Sequence, residues 1–491
     1  MQILPERLTG NIQSTAAYVL VVDLDGTLTP TDTLWESLIR MVRQSPLKLL
    51  LLPLWLSGSR AAFKAKVADA IDWRGEDIPL NAELIAYLQE QKRNGRRLVL
   101  ATAANARIAE TVAARVGLFD AVIADGGAKN LKGAEKLAAI QQREGLDFVY
   151  AGDSRADMPV WQAARAAIVV GASDGIRREV AAKVSIEREF PGPRRGVGTW
   201  LRAIRIHQWI KNSLLFVPLL TSFTLFNPGQ FASATLAFFA FCAMASASYL
   251  ANDLLDLDHD RAHPRKHLRP LASAAIAIPQ ALLVASVLAA LSLMLGIFVG
   301  AGFVWLLLAY ALLTALYTWQ LKRHFVADVL VLACLYTLRI LAGAVAIGVA
   351  LSSWLLAFSA FLFFGLALVK RCAELVALEE MGRTHSEGRN YQVRDLRILW
   401  PLGVGASLCS VVVFGLFISS PEVAARYASP HLIWFAALGL IYWLSRLWIK
   451  TGRGEMHDDP LVYALRDRAS RLTVLAMILV TLAAYFFRFA I

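Results

Sequence analysis

Cysteine is nearly absent from this chain, and charge is thinly spread. Four cysteines in 491 residues, Cys242, Cys334, Cys372 and Cys409, lie far apart, which excludes a disulfide framework and a cysteine-based metal centre and leaves them as packing residues. Charged residues make up only 18% against 57% hydrophobic ones, so the whole chain is not an ordinary soluble protein. Acid is scarcer than base, 38 Asp and Glu against 50 Lys and Arg. Met1 to Ser14 carries Glu6 and Arg7 and no apolar core, so it is not read as a secretory leader, and the part that follows is expected to stay in the cytoplasm. No repeat of fixed period stands out.

What is present is uneven. Residues 1 to 190 read as a soluble α/β domain; almost all long apolar runs lie beyond Asn212. About nine spans are expected, near 211–226, 229–250, 280–299, 302–319, 328–348, 353–370, 400–419, 431–449 and 471–489. With the N-terminus inside, the inward loops 251–278, 320–326, 370–398 and 450–471 hold 17 Lys and Arg, and the outward turns only Arg426. This expectation puts the inward loops at the cytoplasmic face of an inner membrane, with a bilayer and no nucleic acid as partner. Residues 191–205 join the halves: a Pro/Gly-rich linker, then a basic, Trp-bearing stretch suited to the interface.

Where the second long apolar run ends stand Asn252-Asp253-Leu-Leu-Asp256-Leu-Asp-His-Asp260, with Arg261, Arg265, Lys266 and Arg269 behind them. At about 100° per residue a helix gathers Asn252, Asp253, Asp256 and Asp260 within an arc of roughly 100° and turns Asp258 away. Carboxylates so close repel, and a hard divalent cation relieves them, most often Mg²⁺ when the substrate is a polyphosphate. The bland alternative is a solvated acidic helix end. Arg265, Lys266 and Arg269 would neutralise phosphates beyond the metal's reach, Tyr317 and Lys322 would add a phenol and a point charge, and part of the basic run serves only topology. Asp328 and Arg339 lie eleven residues apart, about 16 Å along a helix, so no direct pair is implied. Arg339 within an apolar span needs a partner, for which a phosphate is a candidate.

In the soluble half, the strand Tyr18 to Val22 runs into Asp23-Leu-Asp25-Gly26-Thr27. Arg97 to Ala101 leads to Thr102, Asn130-Leu-Lys132-Gly133 opens a helix, and Phe148 to Ala151 leads to Asp153 and Asp157. In a doubly wound parallel sheet these strand ends converge on one crevice. These four segments resemble, in order, the motifs of the haloacid dehalogenase superfamily of phosphotransferases over about residues 17–185. The resemblance implies a Rossmann-like fold and makes Asp23 the nucleophile that forms an aspartyl phosphate and Asp25 the general acid, then base. It further implies that Thr102 holds phosphoryl oxygens and that Lys132, with Lys129 as the alternative, offsets charge. Asp153 with Asp157 would hold or orient Mg²⁺, with Asp23 and Asp25 contributing to that metal. A catalytically inactive copy kept for folding is the other reading. A small helical cap is expected at about 30–95, and within it Leu47 to Leu56 is too short to span a bilayer. That run is either the core of the cap or an apolar lip that meets membrane or lipid-linked substrate.

The Asn252–Asp260 segment resembles the first aspartate motif of the UbiA-type prenyltransferase superfamily, which implies an all-α bundle of about nine transmembrane helices over about 206–491. Further stretches resemble its branch that transfers phosphoribose to a polyprenyl phosphate, the decaprenyl-phosphate phosphoribosyltransferases. They are His207-Gln-Trp-Ile-Lys211-Asn212, Asp260 to Ser273, Tyr317 to Lys322, Asp328 with Arg339 to Gly343, and Leu368 to Leu375. That resemblance makes Lys211, Asn252, Arg265, Lys266, Arg269, Tyr317, Lys322, Asp328 and Arg339 substrate-binding, with Asp253, Asp256 and Asp260 on Mg²⁺. Two departures stand out: Leu332 replaces the second acid expected four residues after Asp328, and Ala274 replaces a glycine, which is expected to be benign.

The aspartates support diphosphate chemistry and do not choose the acceptor. In one reaction C1 of phosphoribosyl diphosphate loses diphosphate to a polyprenyl phosphate oxygen; in the other a prenyl diphosphate alkylates an aromatic acceptor. A fused phosphatase favours the first, because only that product keeps a phosphate ester to remove. A transporter or lipid-binding scaffold remains a different class, and prenyl length and oligomeric state stay open.

Overall fold

The computed structural model describes residues 18–73, 78–125, 131–192, 196–385, 389–456 and 459–488. Lys129 and the Met1–Ser14 segment lie outside them. The chain divides into two compact units, one of residues up to Ile204 together with Tyr249–Ala285, the other of Arg205–Ser248 and Ser286–Ile491.

The first unit is built on six strands, β1 Val19–Val22, β2 Leu98–Asn105, β3 Ala121–Asp125, β4 Phe148–Gly152, β5 Ala166–Val170 and β6 Ile186–Phe190. All pairs are parallel, in the order β3-β2-β1-β4-β5-β6. The chain turns outward in opposite directions from β1, so the crevice at the C-terminal ends of β1, β2 and β4 is a topological switch point. Near-continuous apolar strands follow from burial on both faces. Leu20 and Val22 pack with Leu84, Leu88 and Ile108 on one side; Val21 packs with Ile140, Val160 and Trp161 on the other.

Between β1 and β2 the chain forms α1 Thr33–Gln44, the short turns Pro46–Leu51 and Leu52–Leu56, and the helix Arg60–Asp69. The helix Ala82–Arg93, expected in the cap, lays Leu84 and Leu88 on the sheet core. The Leu47–Leu56 run has two faces. Leu49, Leu52 and Trp55 pack against the core, while Leu47, Leu50, Leu51, Leu54 and Leu56 are exposed. The helix α2, Ala134–Glu144, follows β3.

The remaining helices are α3 Pro228–Leu255, α4 Leu257–Ala262, α5 Ile278–Val299, α6 Ala301–Trp319, α7 Ala327–Ile347, α8 Ser353–Glu380, α9 Leu396–Ile418, α10 Ile433–Gly452 and α11 Arg468–Phe486. Among the described residues, eight helices are long and apolar enough to cross a membrane, and these match eight of the expected spans. The span expected at 211–226 is different: it is a 3₁₀ run, Ile206–Phe216, then the five-residue helix Val217–Thr221. Pro218 and the left-handed Phe223 (φ 56°) break it below the length a bilayer needs. α8, by contrast, runs ten residues past its expected end and carries Lys370, Arg371 and Glu374. In the second unit Gly343 lets α7 approach that 3₁₀ run: a Cβ there would lie 2.1 Å from the Leu215 carbonyl oxygen.

Candidate active sites

The turn after β1 is built around Asp23. Its carboxylate accepts from the Leu24 amide at 2.8 Å and pairs with Lys136 Nζ of α2 at 2.7 Å. Gly26 is left-handed (φ 78°), and a Cβ there would fall 2.2 Å from Asp153, so only glycine lets the β1 and β4 turns approach. Asp25 receives the Thr33 amide at 2.8 Å and the Thr33 hydroxyl at 3.3 Å, which seats it on the N-terminus of α1. Asp157 is buried and fully engaged: it accepts from the Tyr150 phenol, Lys136, Ser154 and the Asp153 amide.

Asp23, Asp153 and Asp157 each offer an oxygen within 4.8 Å of the others, a hard-donor set that fits a divalent cation. Asp25, expected among the ligands, stands outside this trio because Thr33 holds both its oxygens. Lys136, and not Lys132, contacts the Asp23 carboxylate; it sits one helical turn further on, where α2 passes β1 and β4. Lys132 lines the same cavity of about 370 Å³, with Thr102, Trp35 and Lys64. Thr102 lies within β2, which continues past the expected strand end, and its hydroxyl accepts from the Ala104 amide.

Burial pushes Asp23 up to about 6, against the pull of Lys136 and with a further push from Asp157. Burial and the neighbouring Asp32 push Asp25 to about 7; burial, Asp157 and Asp23 push Asp153 to about 8. Burial works against the Lys136 ammonium, but Asp23 and Asp157 outweigh it and its pKa is raised. The three raised carboxylates favour the fold when protonated, and that contribution is lost as pH climbs through about 6 to 8. A divalent cation must displace those protons, so its apparent affinity is expected to rise at least about tenfold from pH 6 to pH 8. Mg²⁺ titrations of phosphate-ester hydrolysis at the two pH values measure this, and equal midpoints would contradict it.

The first unit also holds the aspartate segment. Hydrogen bonds from the Asp256 amide to Asn252 O and from the Asp260 amide to Asp256 O carry the helical path across the junction of α3 and α4. Asp253 and Asp260 are buried and converge on one atom, Arg269 Nη1, at 3.2 and 2.6 Å. Two carboxylates within 3.2 Å of one guanidinium nitrogen concentrate negative charge at one point of the helix face, which Arg269 balances. Asp256 and Asn252 are half-buried on the same path. Asp258 turns away as the spacing predicts and pairs with Arg40 (2.9 Å) and Arg43 (3.6 Å) of α1. On α4, Arg261 forms two bonds to the buried Glu36 of α1, at 2.7 and 3.0 Å. Loss of one partner of such a buried pair costs about 3–5 kcal/mol. Arg265 and Lys266 are exposed on the connection to α5. Ala274 is left-handed (φ 55°), so the alanine expected to be benign carries strain a glycine would not.

In the second unit Asp328 is fully buried and paired with Arg371 and the Tyr391 hydroxyl, each at 2.5 Å. Glu374 links Arg371 to Arg389, which also meets the Tyr317 phenol. Arg339 has protein partners where a phosphate was the candidate: Asn212 Oδ1 (2.9 Å), Leu335 O (2.5 Å) and the Tyr310 hydroxyl (3.2 Å). It does not pair with Asp328, as the spacing implied. Lys211 lies 2.6 Å from Asp459, which Lys370 and the Tyr336 hydroxyl also approach. Lys322 sits in the short turn Leu321–Arg323.

Residues 215–465, about half of the chain, match the family model of the UbiA prenyltransferase family. The chain belongs to that family. Residues 20–162 match the model of the haloacid dehalogenase-like hydrolases, so an N-terminal domain of that fold is fused to the UbiA region. A Sinorhizobium fredii protein described as uncharacterized protein y4nM is 36% identical over 460 residues, 92% of this chain and 88% of that protein. The nodulation protein NoeC of Azorhizobium caulinodans is 37% identical over 57% of this chain and 91% of its own length. Decaprenyl-phosphate phosphoribosyltransferase of Mycolicibacterium smegmatis is 30% identical over 60% of this chain and 95% of its own.

Sequence reasoning missed Lys136, Tyr150, Tyr391 and Asp459, and it passed over the Glu36–Arg261 pair. One signal was legible for Lys136: a lysine within the helix that follows the motif. Arg371 lay inside a quoted motif without a role; only the packing of α8 against α7 couples it to Asp328. Nothing local marks Asp459, 248 residues from its partner Lys211.

Proposed function

We propose that this UbiA-family protein is a bifunctional membrane enzyme that makes polyprenyl-phosphoribose for cell-envelope glycans, as a precursor of lipid-linked arabinofuranose. In the first reaction a polyprenyl phosphate oxygen attacks C1 of phosphoribosyl diphosphate, the C1–oxygen bond breaks and diphosphate leaves. Asp253, Asp256 and Asp260 would hold Mg²⁺, which would neutralise charge on the leaving group. Arg269, Arg265 and Lys266 bind the phosphate oxygens the ion does not reach; Lys211, Asn252, Tyr317, Lys322, Asp328 and Arg339 shape or bind the substrates, several of them through the pairs described above.

In the second reaction Asp23 attacks the 5-phosphate phosphorus while Asp25, kept protonated near neutrality, gives its proton to the departing C5 oxygen. Asp25 then takes a proton from the water that hydrolyses the aspartyl phosphate. Thr102 and Lys132 bind phosphoryl oxygens, Lys136 holds Asp23, and Asp157 orients Asp153 and Lys136; Asp23 and Asp153 would hold Mg²⁺, which would offset phosphate charge. Both active sites face the cytoplasm, where phosphoribosyl diphosphate is supplied.

One observation carries the coupling: Asp25 accepts from Thr33, the first residue of α1, and α1 is joined further along to α4 by Glu36–Arg261 and Arg40–Asp258. The phosphatase turn and the aspartate motif thus both bond to one helix. The family's description as prenyltransferases supports a second reading, transfer of a prenyl group, for which an aromatic acceptor is the alternative substrate. Membranes containing the full chain, given labelled phosphoribosyl diphosphate and polyprenyl phosphate, should yield a labelled lipid without a 5-phosphate. No labelled lipid would overturn the transferase; a lipid that keeps its 5-phosphate would overturn the coupling.

A further inference from the structure

The turns Pro46–Leu56 present an apolar face with no cover. Leu47, Leu50, Leu51, Leu54 and Leu56 are between 42% and 80% exposed, while Leu49, Leu52 and Trp55 hold the opposite face to the domain core. Lys48, the only charged side chain of the run, turns back to the Ala70 carbonyl at 3.0 Å and offers this face no charge. Five contiguous exposed leucines are a binding surface rather than ordinary surface scatter.

The same unit shows what lies beside that face. The run follows α1 directly, and Arg43 in the last turn of α1 meets Asp258 and His259, just beyond the end of the apolar helix α3. The phosphatase cavity is lined by Ala277, Ile278 and Pro279, where the apolar helix α5 begins. The segment just after α3 thus meets α1, the helix that leads into the leucine face, and the start of α5 lines the Asp23 cavity. α3 and α5 are long and apolar enough to cross a bilayer, which makes a bilayer the apolar phase that this face would meet.

We infer that residues 46–56 are an interfacial anchor: the five leucines enter the headgroup–acyl boundary of the bilayer and hold the cap at the membrane surface. The mouth of the Asp23 cavity then receives phosphate esters carried by membrane lipids rather than free ones. The docking stands whichever ester Asp23 attacks; its consequence for turnover rests on the phosphatase reading above.

The test uses the full chain in phosphatidylethanolamine/phosphatidylglycerol nanodiscs, in a Cys334→Ser, Cys409→Ser background. An environment-sensitive fluorophore is placed at Leu50→Cys, Leu54→Cys or, as a control, Leu146→Cys, which is exposed just before β4, at the end of the strands away from the Asp23 crevice. Shallow spin-labelled lipids should quench positions 50 and 54 several-fold more than 146. Equal quenching at all three overturns the anchor, and so does a shielded but unquenched probe, which would mean that a second copy or another protein covers the face. The variant L47E/L50E/L54E should lose at least about tenfold in hydrolysis of a bilayer-borne phosphate ester and keep its rate on p-nitrophenyl phosphate. Equal loss on both esters overturns the consequence for turnover. If the wild type hydrolyses neither ester, the phosphatase reading fails, and the quenching still decides the anchor.

Discussion

Asp23→Asn should abolish phosphate-ester hydrolysis, by roughly 10³-fold or more, while leaving formation of the labelled lipid intact. The amide is isosteric but a poor nucleophile, and it forms no aspartyl phosphate. It also weakens the 2.7 Å contact with Lys136, which retains Asp157 as a partner, so the helix α2 should stay docked. The informative readout is the lipid: it should accumulate with its 5-phosphate, seen as a labelled product that an added phosphatase converts to the wild-type product. If Asp23→Asn gives the dephosphorylated lipid at the wild-type rate, another protein removes the phosphate and the fused domain acts elsewhere.

Asp253→Asn and Asp260→Asn should each lower lipid labelling by roughly 10²- to 10³-fold and raise the Mg²⁺ needed for half-maximal rate. Both carboxylates are buried and point at the same guanidinium nitrogen, so removal of either charge leaves one anion to balance Arg269 and the incoming cation. Hydrolysis of p-nitrophenyl phosphate in the same preparations should be unchanged, which separates lost chemistry from a lost fold. Asp258→Asn is the counterpart: its carboxylate is turned to Arg40 and Arg43, and labelling should fall by a factor of a few at most. A fall as large as that of Asp253→Asn would show that the acidic face had been assigned to the wrong side of the helix.

Much of the site was legible where chemistry and backbone period coincide. Asp23, Thr102 and Asp153 follow or sit near strand ends, and parallel strands with helical crossovers bring such ends to one crevice. Asp253 and Asp260 share a helix face because seven residues make nearly two turns, and the same period turned Asp258 aside. Eight spans were visible as apolar runs of bilayer length with few charges. The ninth failed for a local reason: Pro218 and the left-handed Phe223 break a run that is apolar enough but not helical enough. The lysine beside Asp23 is set by geometry. Lys132 and Lys136 lie one turn apart, and which of them meets Asp23 depends on how α2 lies across β1 and β4.

The sequence by itself determined two domains, their order, the membrane-length helices and the chemical character of each acidic motif. These follow from composition, period and residue type, which are local. Only the tertiary structure decided the partners. Asp328 belongs to Arg371, Lys211 to Asp459 and Arg339 to Asn212, pairs 43 to 248 residues apart, and no local period connects them. It also decided that α1 binds α4 through Glu36 and Arg261, and that a leucine run with two readings has one face in the core and one outside. A buried charge takes whatever opposite charge the packing brings within reach, and packing is a property of the whole chain.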